Sequence, residues 1–105
     1  MKLLFICSKN RLRSPTAEEV FSSMEGFNAI GCGISKDAPT ALSGDLIEWA
    51  DVIFTMENIH RVKVTQKYSQ LLKNKRLICL DIPDNYSRMQ PELVRLLKEK
   101  VSGHL

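Results

Sequence analysis

Short hydrophobic runs recur along the chain, and segments with hydrophobic residues at helical spacing separate them. The runs lie at residues 3–6, 27–32, 50–56 and 76–80. An unbroken apolar run of strand length is typical of a strand buried on both faces, as in a parallel sheet. The pattern therefore predicts a parallel sheet built from these four runs.

The segments between and after the runs have helical patterns. Ser14 and Pro15 give a start signal, because a hydroxyl at the N-cap is followed by proline at the first helical position. Gly26 is a plausible stop. We predict helices at residues 14–26, at 43–49, at 57–73 and after Pro91. The third is predicted to be the longest, with a buried stripe formed by Ile59, Val62, Tyr68, Leu71 and Leu72.

Alternation of strands and helices predicts an α/β fold, a three-layer sandwich with a four-stranded parallel sheet and right-handed crossovers. No internal repeat, low-complexity tract or linker interrupts the pattern, so we predict one domain over residues 1–105. Residues 33–42 are the least regular and are predicted to form a surface loop. In such sheets, ligands bind beyond the carboxyl ends of the strands, where the strand order reverses.

Composition narrows the functional classes. The 105 residues are 44% hydrophobic and 26% charged, which excludes collagen-like, coiled-coil and disordered classes. The net charge of +3 is a mild bias towards anionic partners, far short of a nucleic-acid tail. No apolar run approaches the ~20 residues of a membrane helix, and the opening run ends at Cys7, short of a secretory signal. Three cysteines without paired spacing predict a reducing, cytoplasmic environment.

The strongest chemical signal lies between the first predicted strand and the first helix, in residues 7–15, here called the first loop. Cys7 is followed by five residues and then by Arg13 and Ser14. A helix N-terminus and a nearby arginine favour the thiolate form of a cysteine. Backbone N–H groups of a tight loop can surround one anion, and the planar fork of Arg13 can hold two phosphate oxygens. Ser14 can cap the helix and donate a hydrogen bond to the Cys7 sulfur.

The first loop resembles the signature loop of the low-molecular-weight protein tyrosine phosphatases, which have a small four-stranded α/β fold. The matching residues are Cys7, Asn10, Arg13, Ser14 and Pro15. The resemblance implies a metal-independent phosphomonoester hydrolase that needs no cofactor. Cys7 would form a phosphocysteine intermediate, Arg13 would clamp the phosphate, Asn10 would hold the loop in a strained shape and Ser14 would stabilise the thiolate. The predicted phosphate-binding residues of the loop are Ser8, Lys9, Asn10, Arg11, Leu12 and Ser14.

The loop after the fourth strand is predicted to supply an acid. One carboxyl group near the thiolate can protonate the leaving group and later activate the water that cleaves phosphocysteine. Residues 81–86 resemble the family's acid loop, because Asp84 and Tyr86 match it, whereas Asn85 replaces a proline. Asp84 is the predicted general acid, Asp81 is the reserve, and Tyr86 is predicted to line the substrate cleft. His60 is predicted to be a surface or packing residue.

The chain departs from the family pattern at several positions. Residues 33–42 are shorter than the corresponding cleft wall, which leaves open whether phosphotyrosine is the substrate. Lys9 replaces a loop glycine and is expected to carry backbone strain of about 1 kcal/mol or more if a glycine-type angle is needed. Leu12 replaces a cysteine that can protect the nucleophile as a disulfide. The His-x-Ser/Ala-Arg stretch that braces the loop is missing.

Several functional alternatives remain at this stage. The expected partner is a phosphorylated protein or a small phosphomonoester, with no membrane or metal partner. Lys9, Arg11 and Arg13 also suit a nucleotide or an RNA end, although no aromatic stacking platform supports nucleic acid. A phosphate carrier like the IIB components of sugar phosphotransferase systems also carries a cysteine after its first strand. A phosphate-binding module with slow turnover is a third possibility. Arg13 and Asp84 favour the phosphatase, because a carrier needs neither.

Overall fold

Four parallel strands form the central sheet of the protein. A computed structural model describes residues 1–105. The strands are β1 (Lys2–Cys7), β2 (Asn28–Gly33), β3 (Val52–Thr55) and β4 (Arg76–Cys79), in the spatial order β2-β1-β3-β4. They alternate with the helices α1 (Arg13–Ser22), α2 (Gly44–Trp49), α3 (Asn58–Tyr68) and α4 (Pro91–Ser102). The predicted α/β fold with a parallel sheet is confirmed. None of the helices combines the length and the apolar character that crossing a membrane requires.

The two faces of the sheet carry separate hydrophobic cores. In β1, Leu3 and Phe5 face α1 and α4, whereas Leu4 and Ile6 face α2 and α3. Burial on both faces explains why the strands are continuous apolar runs rather than alternating ones. The ring of Phe5 stacks on those of Phe21 and Phe54. Its centroid lies 5.4 Å from that of Phe21 and 5.2 Å from that of Phe54. Full burial of each such ring contributes roughly 1.5–3 kcal/mol to folding.

The start of α1 differs from the prediction. The helix begins at Arg13, and its N-cap residue, Leu12, provides no side-chain hydrogen bond. Ser14 therefore lies inside the first turn, and its predicted role as the N-cap hydroxyl is wrong. The Ser14 side chain instead points back to the end of β1, where it contacts the Cys7 sulfur.

Helix α3 is shorter than the sequence predicts, and a different face of it is buried. It ends at Tyr68, so α4, not α3, is the longest helix. The buried residues of α3 are His60 and Val64, whereas Ile59 and Val62 are 54% and 44% exposed. The side chains of Glu57 and His60 form a capping box at the N-terminus of α3. The His60 face of the helix turns inward, where His60 contacts Ser8 of the first loop at 2.9 Å.

The site-forming edge of the sheet lies where the strand order reverses. β1 lies between β2 and β3, so the chain leaves β1 and β3 towards opposite faces of the sheet. This opens a crevice at their carboxyl ends. Residues 34–42 form one side of this crevice. They are held there because the Gly33 N–H donates to Thr40 O at 3.0 Å and Gly33 O accepts from the Leu42 N–H at 2.9 Å. The predicted surface loop is therefore folded back over the end of β2.

Glycine is required where α1 crosses β2. A Cβ atom at Gly31 would lie 2.4 Å from the backbone oxygen of Ser14. We expect Gly31→Ala to lower the free energy of unfolding by about 2 kcal/mol or more, since overpacking against backbone cannot be relieved by a rotamer change. Urea unfolding followed by circular dichroism measures this. The matched control is Gly103→Ala, where the nearest atom is 3.7 Å away and a change within about 0.5 kcal/mol is expected. Equal effects at both glycines would contradict the prediction.

Candidate active site

The first loop wraps around the sulfur of Cys7, the last residue of β1. The backbone N–H of Asn10 donates to Cys7 Sγ at 3.2 Å, and Ser14 Oγ lies 3.0 Å from the same sulfur. Ser14 Oγ also accepts a hydrogen bond from Asn10 Nδ2 at 2.7 Å. The Ser14 hydroxyl proton is therefore free to be donated to the sulfur. Two donors thus point at Sγ and stabilise negative charge on it.

Asn10 holds the loop in a left-handed backbone conformation. Its φ is 55°, a region that asparagine enters at lower cost than most residues. Its carboxamide bridges two segments, because Nδ2 donates to Ser14 and Oδ1 accepts from the Thr40 N–H at 3.2 Å. Lys9 does not have a positive φ. The glycine-type strain expected at Lys9 is therefore absent, and the unusual backbone angle belongs to Asn10.

The first loop also rests directly on the end of β2. A Cβ atom at Gly33 would lie 2.8 Å from Ser8 O and 2.9 Å from Asn10 N. Beyond this glycine, Ile34 N donates to Cys7 O and Ser35 N donates to Ser8 O, both at 3.0 Å. Backbone contacts from the 34–42 segment therefore hold the first loop in place.

The guanidinium of Arg13 is buried and held by two other loops. The side chain is 3% exposed, and its Nη1 donates to Ile82 O at 2.9 Å and to the carboxylate of Glu57. Asp84 Oδ1 lies 3.7 Å from Nε. Nε and Nη2 form no hydrogen bond within the protein, and Arg13 lines a cavity above Cys7. This leaves one edge of the guanidinium ready to donate to two oxygens of an anion.

A buried histidine supports the other end of the loop. His60 is fully buried, and its Nδ1 accepts from the Glu57 N–H at 3.0 Å. The ring proton is therefore on Nε2, which donates to Ser8 Oγ at 2.9 Å. Burial, reinforced by the positive charge of Arg13, lowers the pKa of His60 to about 4. The imidazole is neutral at physiological pH, and the Ser8 hydroxyl proton remains free for a ligand.

The cavity above Cys7 brings most of the predicted residues together. Its volume is about 320 Å³, and it is lined by Cys7, Ser8, Lys9, Arg11, Leu12, Arg13 and Asp84. Asn10 and Ser14 lie behind the wall, where they hold the loop and the sulfur. Of the two candidate carboxylates, Asp84 lines the cavity and Asp81 does not. Tyr86 is half-buried against the core beneath α1 and α4, and it is not among the residues that line the cavity.

The sequence analysis did not single out Glu57, and it assigned His60 only to the surface or to packing. Both follow β3, the strand next to β1, so their position at the carboxyl edge of the sheet was a usable signal. Their spacing of three residues is also that of a capping box. These two signals together place the Glu57–His60 turn beside the first loop.

The remaining cysteines lie apart from the nucleophile candidate. Cys32 packs in the core beneath α2 and α3, on the opposite face of the sheet from Cys7. Burial, with a smaller effect of Cys7, raises the pKa of the Cys32 thiol to about 12. Cys79 is half-buried at the end of β4. Nowhere do three or more His, Cys, Asp or Glu side chains come close enough to hold a metal ion.

Comparison with solved structures identifies the fold, although no family model and no curated protein sequence matches the chain. The chain is similar to a low-molecular-weight protein tyrosine phosphatase from Bacillus subtilis, with 20% identity and a TM-score of 0.75 over 100% of this chain and 97% of that one. The fold is that of the low-molecular-weight protein tyrosine phosphatases. This confirms, at the level of the fold, the resemblance drawn from the first loop.

Two further structures of this phosphatase fold are similar over almost the whole chain. The tyrosine phosphatase Wzb from Escherichia coli K30 has 18% identity and a TM-score of 0.75, covering 98% of this chain and 94% of that one. The YwlE arginine phosphatase from Geobacillus stearothermophilus has 16% identity and a TM-score of 0.72, with the same coverage of 98% and 94%. At these identities the likeness concerns the fold, and the roles of individual residues rest on the geometry described above.

The low pKa of His60 predicts a pH-dependent stability. Between pH 6.5 and about 4 the unfolded chain binds a proton at this imidazole, whereas the folded chain does not. The free energy of unfolding is therefore highest above pH 6.5 and decreases by up to about 3 kcal/mol as the pH falls towards 4. Urea unfolding at pH 4 to 7 measures this slope. His60→Asn should flatten it, and His104→Asn, which removes the exposed histidine, should not. Equal slopes in both variants would show that carboxylates alone cause the effect.

Proposed function

We propose that the protein is a metal-independent cysteine phosphatase that hydrolyses phosphomonoesters through a phosphocysteine intermediate on Cys7. The observation that carries this proposal is the composition of one cavity, which brings together the Cys7 sulfur, the free edge of Arg13 and the carboxyl group of Asp84. These are a nucleophile, a phosphate clamp and an acid. The proposal further assigns Ser8, Lys9, Arg11 and the backbone of the first loop to phosphate binding.

The first step transfers the phosphoryl group to sulfur. The Cys7 thiolate attacks phosphorus in line with the leaving oxygen, so an S–P bond forms as the P–O bond breaks. Asp84 donates its proton to the leaving oxygen. The non-bridging oxygens accept hydrogen bonds from Arg13 Nε and Nη2, from the Ser8 hydroxyl and from loop N–H groups. Lys9 and Arg11, which line the same cavity, add positive charge next to them.

The second step releases inorganic phosphate. Asp84, now a carboxylate, accepts a proton from a water molecule as the water oxygen attacks phosphorus. The P–S bond breaks and the electron pair returns to sulfur. The Asn10 N–H and the Ser14 hydroxyl, 3.2 and 3.0 Å from Sγ, stabilise the departing thiolate. One carboxyl group thus serves as acid and then as base.

The substrate class is a phosphorylated protein or a small phosphomonoester. Two of the similar structures carry names that specify different bonds, since Wzb is described as a tyrosine phosphatase and YwlE as an arginine phosphatase. No aromatic side chain lines the cavity above Cys7, so the cavity wall does not by itself select an aryl phosphate. A substrate screen should therefore contain phosphotyrosine and phosphoarginine peptides as well as nucleotides. We place the reaction in the cytoplasm, where reducing conditions keep Cys7 a thiol.

The proposal predicts hydrolysis of p-nitrophenyl phosphate in the presence of a chelator. Cys7→Ser and Arg13→Ala should each lower kcat/KM by about 10³-fold or more, because they remove the nucleophile and the clamp for the transition-state charge. Arg13→Lys should not restore activity, since an ammonium group cannot hold two oxygens as a planar fork does. The matched controls, Cys79→Ser and Arg95→Ala, change residues outside the cavity and should keep full activity.

The outcomes of this assay separate the proposal from its alternatives. Activity that survives Cys7→Ser would refute the phosphatase mechanism. A stable phosphocysteine that passes its phosphate to a partner protein without releasing it would favour the carrier. Binding of inorganic phosphate without any turnover would favour the binding module. Circular dichroism of each variant confirms that the fold is kept.

Asp84 is predicted to matter most when the leaving group is poor. p-Nitrophenolate departs with little protonation, so Asp84→Asn should reduce kcat/KM for p-nitrophenyl phosphate, which covers the steps up to P–O cleavage, by about tenfold or less. Cleavage of phenyl phosphate needs the acid, and its kcat/KM should fall by about 10²-fold or more. Asp81→Asn, which changes a carboxylate outside the cavity, is the control and should have little effect on either substrate. Equal losses for both substrates, or a larger loss at Asp81, would assign the acid elsewhere.

A further inference from the structure

A second cavity adjoins the one above Cys7. Its volume is about 350 Å³, and its lining is formed by Ser8, Lys9, Ile34, Ser35, Ile59 and Lys63. Ser8 and Lys9 line both cavities. The second cavity therefore continues the first one across the first loop, between α3 and the 34–42 segment.

The second cavity is positively charged. Lys9 and Lys63 line this cavity. Neither lysine forms an ion pair, and the cations in the salt bridges of the protein are Arg13 and Arg88. No carboxylate lines the cavity. Two lysines without ion-pair partners along one cavity favour an anionic occupant.

Two hydroxyl groups in the second cavity are ready to donate. Ser8 Oγ accepts from His60 Nε2 at 2.9 Å, and Ser35 Oγ accepts from the Asp37 N–H at 3.2 Å. Each oxygen already serves as an acceptor, so each O–H proton is available to a ligand. The proposed reaction uses the Ser8 proton for the phosphoryl group. The Ser35 hydroxyl and the two lysines therefore remain for the oxygens of a second anion, a carboxylate or a phosphate.

The apolar residues of the lining indicate which kind of chemical group is attached to this anion. Ile59 is 54% exposed although it is an isoleucine on the first turn of α3, and Ile34 is half-buried. Ile59 and Lys63 are four residues apart and so share one side of the helix. No aromatic ring lines either cavity, and a nucleotide base would lack a stacking surface. A short aliphatic chain that ends in an anion fits this lining better.

We propose that the second cavity binds an acidic residue adjacent to the phosphorylated residue of a peptide substrate. This inference rests on the proposed phosphatase function and specifies its substrate class. The carboxylate of an aspartate or glutamate lies between Lys9 and Lys63 and accepts a hydrogen bond from the Ser35 hydroxyl. Its methylene groups contact Ile59.

The test compares two phosphotyrosine peptides that differ only in glutamate or glutamine on both sides of the phosphorylated residue. For the unaltered chain, kcat/KM should be about fivefold higher for the glutamate peptide, mainly through KM, and high salt should reduce this ratio. Lys63→Gln should bring the ratio below about twofold and leave hydrolysis of p-nitrophenyl phosphate unchanged. Lys98→Gln makes the same charge change on α4, across the sheet, and should keep the ratio.

The outcomes distinguish failure of the subsite from failure of the phosphatase proposal. Hydrolysis of p-nitrophenyl phosphate with no preference between the peptides, or a preference unaffected by Lys63→Gln, would overturn the subsite. If no substrate is hydrolysed, the phosphatase proposal fails, and fluorescence anisotropy with the Cys7→Ser chain measures the same peptide preference as binding. A preference for nucleoside bisphosphates over monophosphates larger than that between the peptides would assign the cavity to small bisphosphates and refute the peptide proposal.

Discussion

The buried guanidinium of Arg13 is the constraint on which the site depends. A charged group that is 3% exposed costs several kcal/mol unless it is paired and hydrogen-bonded. The protein meets this requirement with the Glu57 carboxylate, which follows β3, and the carbonyl of Ile82, which follows β4. Because Arg13 itself opens α1 after β1, one side chain ties together the loops that follow three neighbouring strands. The cavity above Cys7 is therefore organised before any ligand arrives.

Glu57 connects this constraint to the second support of the loop. Its carboxylate pairs with Arg13 and caps α3, while its backbone N–H fixes the tautomer of His60, which then donates to Ser8. One end of the first loop is thus held by an ion pair and the other by a neutral, buried imidazole. Protonation of that imidazole would remove the acceptor of the Glu57 N–H and add a second cation near Arg13. Burial and the charge of Arg13 both oppose this protonation.

The sequence predicts those features that local patterns determine. Residues buried on both faces mark the strands, and the spacing of Cys7 and Arg13 marks the loop between β1 and α1. The phase of α3 is not determined locally, because Ile59 and Val62 are as hydrophobic as the buried Val64. The contact between His60 and Ser8 selects the observed phase, and it joins residues 52 positions apart. The placement of Tyr86 against the core likewise depends on how α4 packs on α1.

The separation of the cysteines bears on how Cys7 responds to oxidation. A disulfide requires two sulfurs whose side chains face each other. Cys7 and Cys32 lie on adjacent strands, but they face opposite cores, and no second cysteine lines the cavity above Cys7. An oxidant that reaches Cys7 therefore forms a sulfenic acid with no neighbouring thiol to condense with, and further oxidation of that group is irreversible. Only a thiol from another molecule can therefore return an oxidised Cys7 to its reduced form.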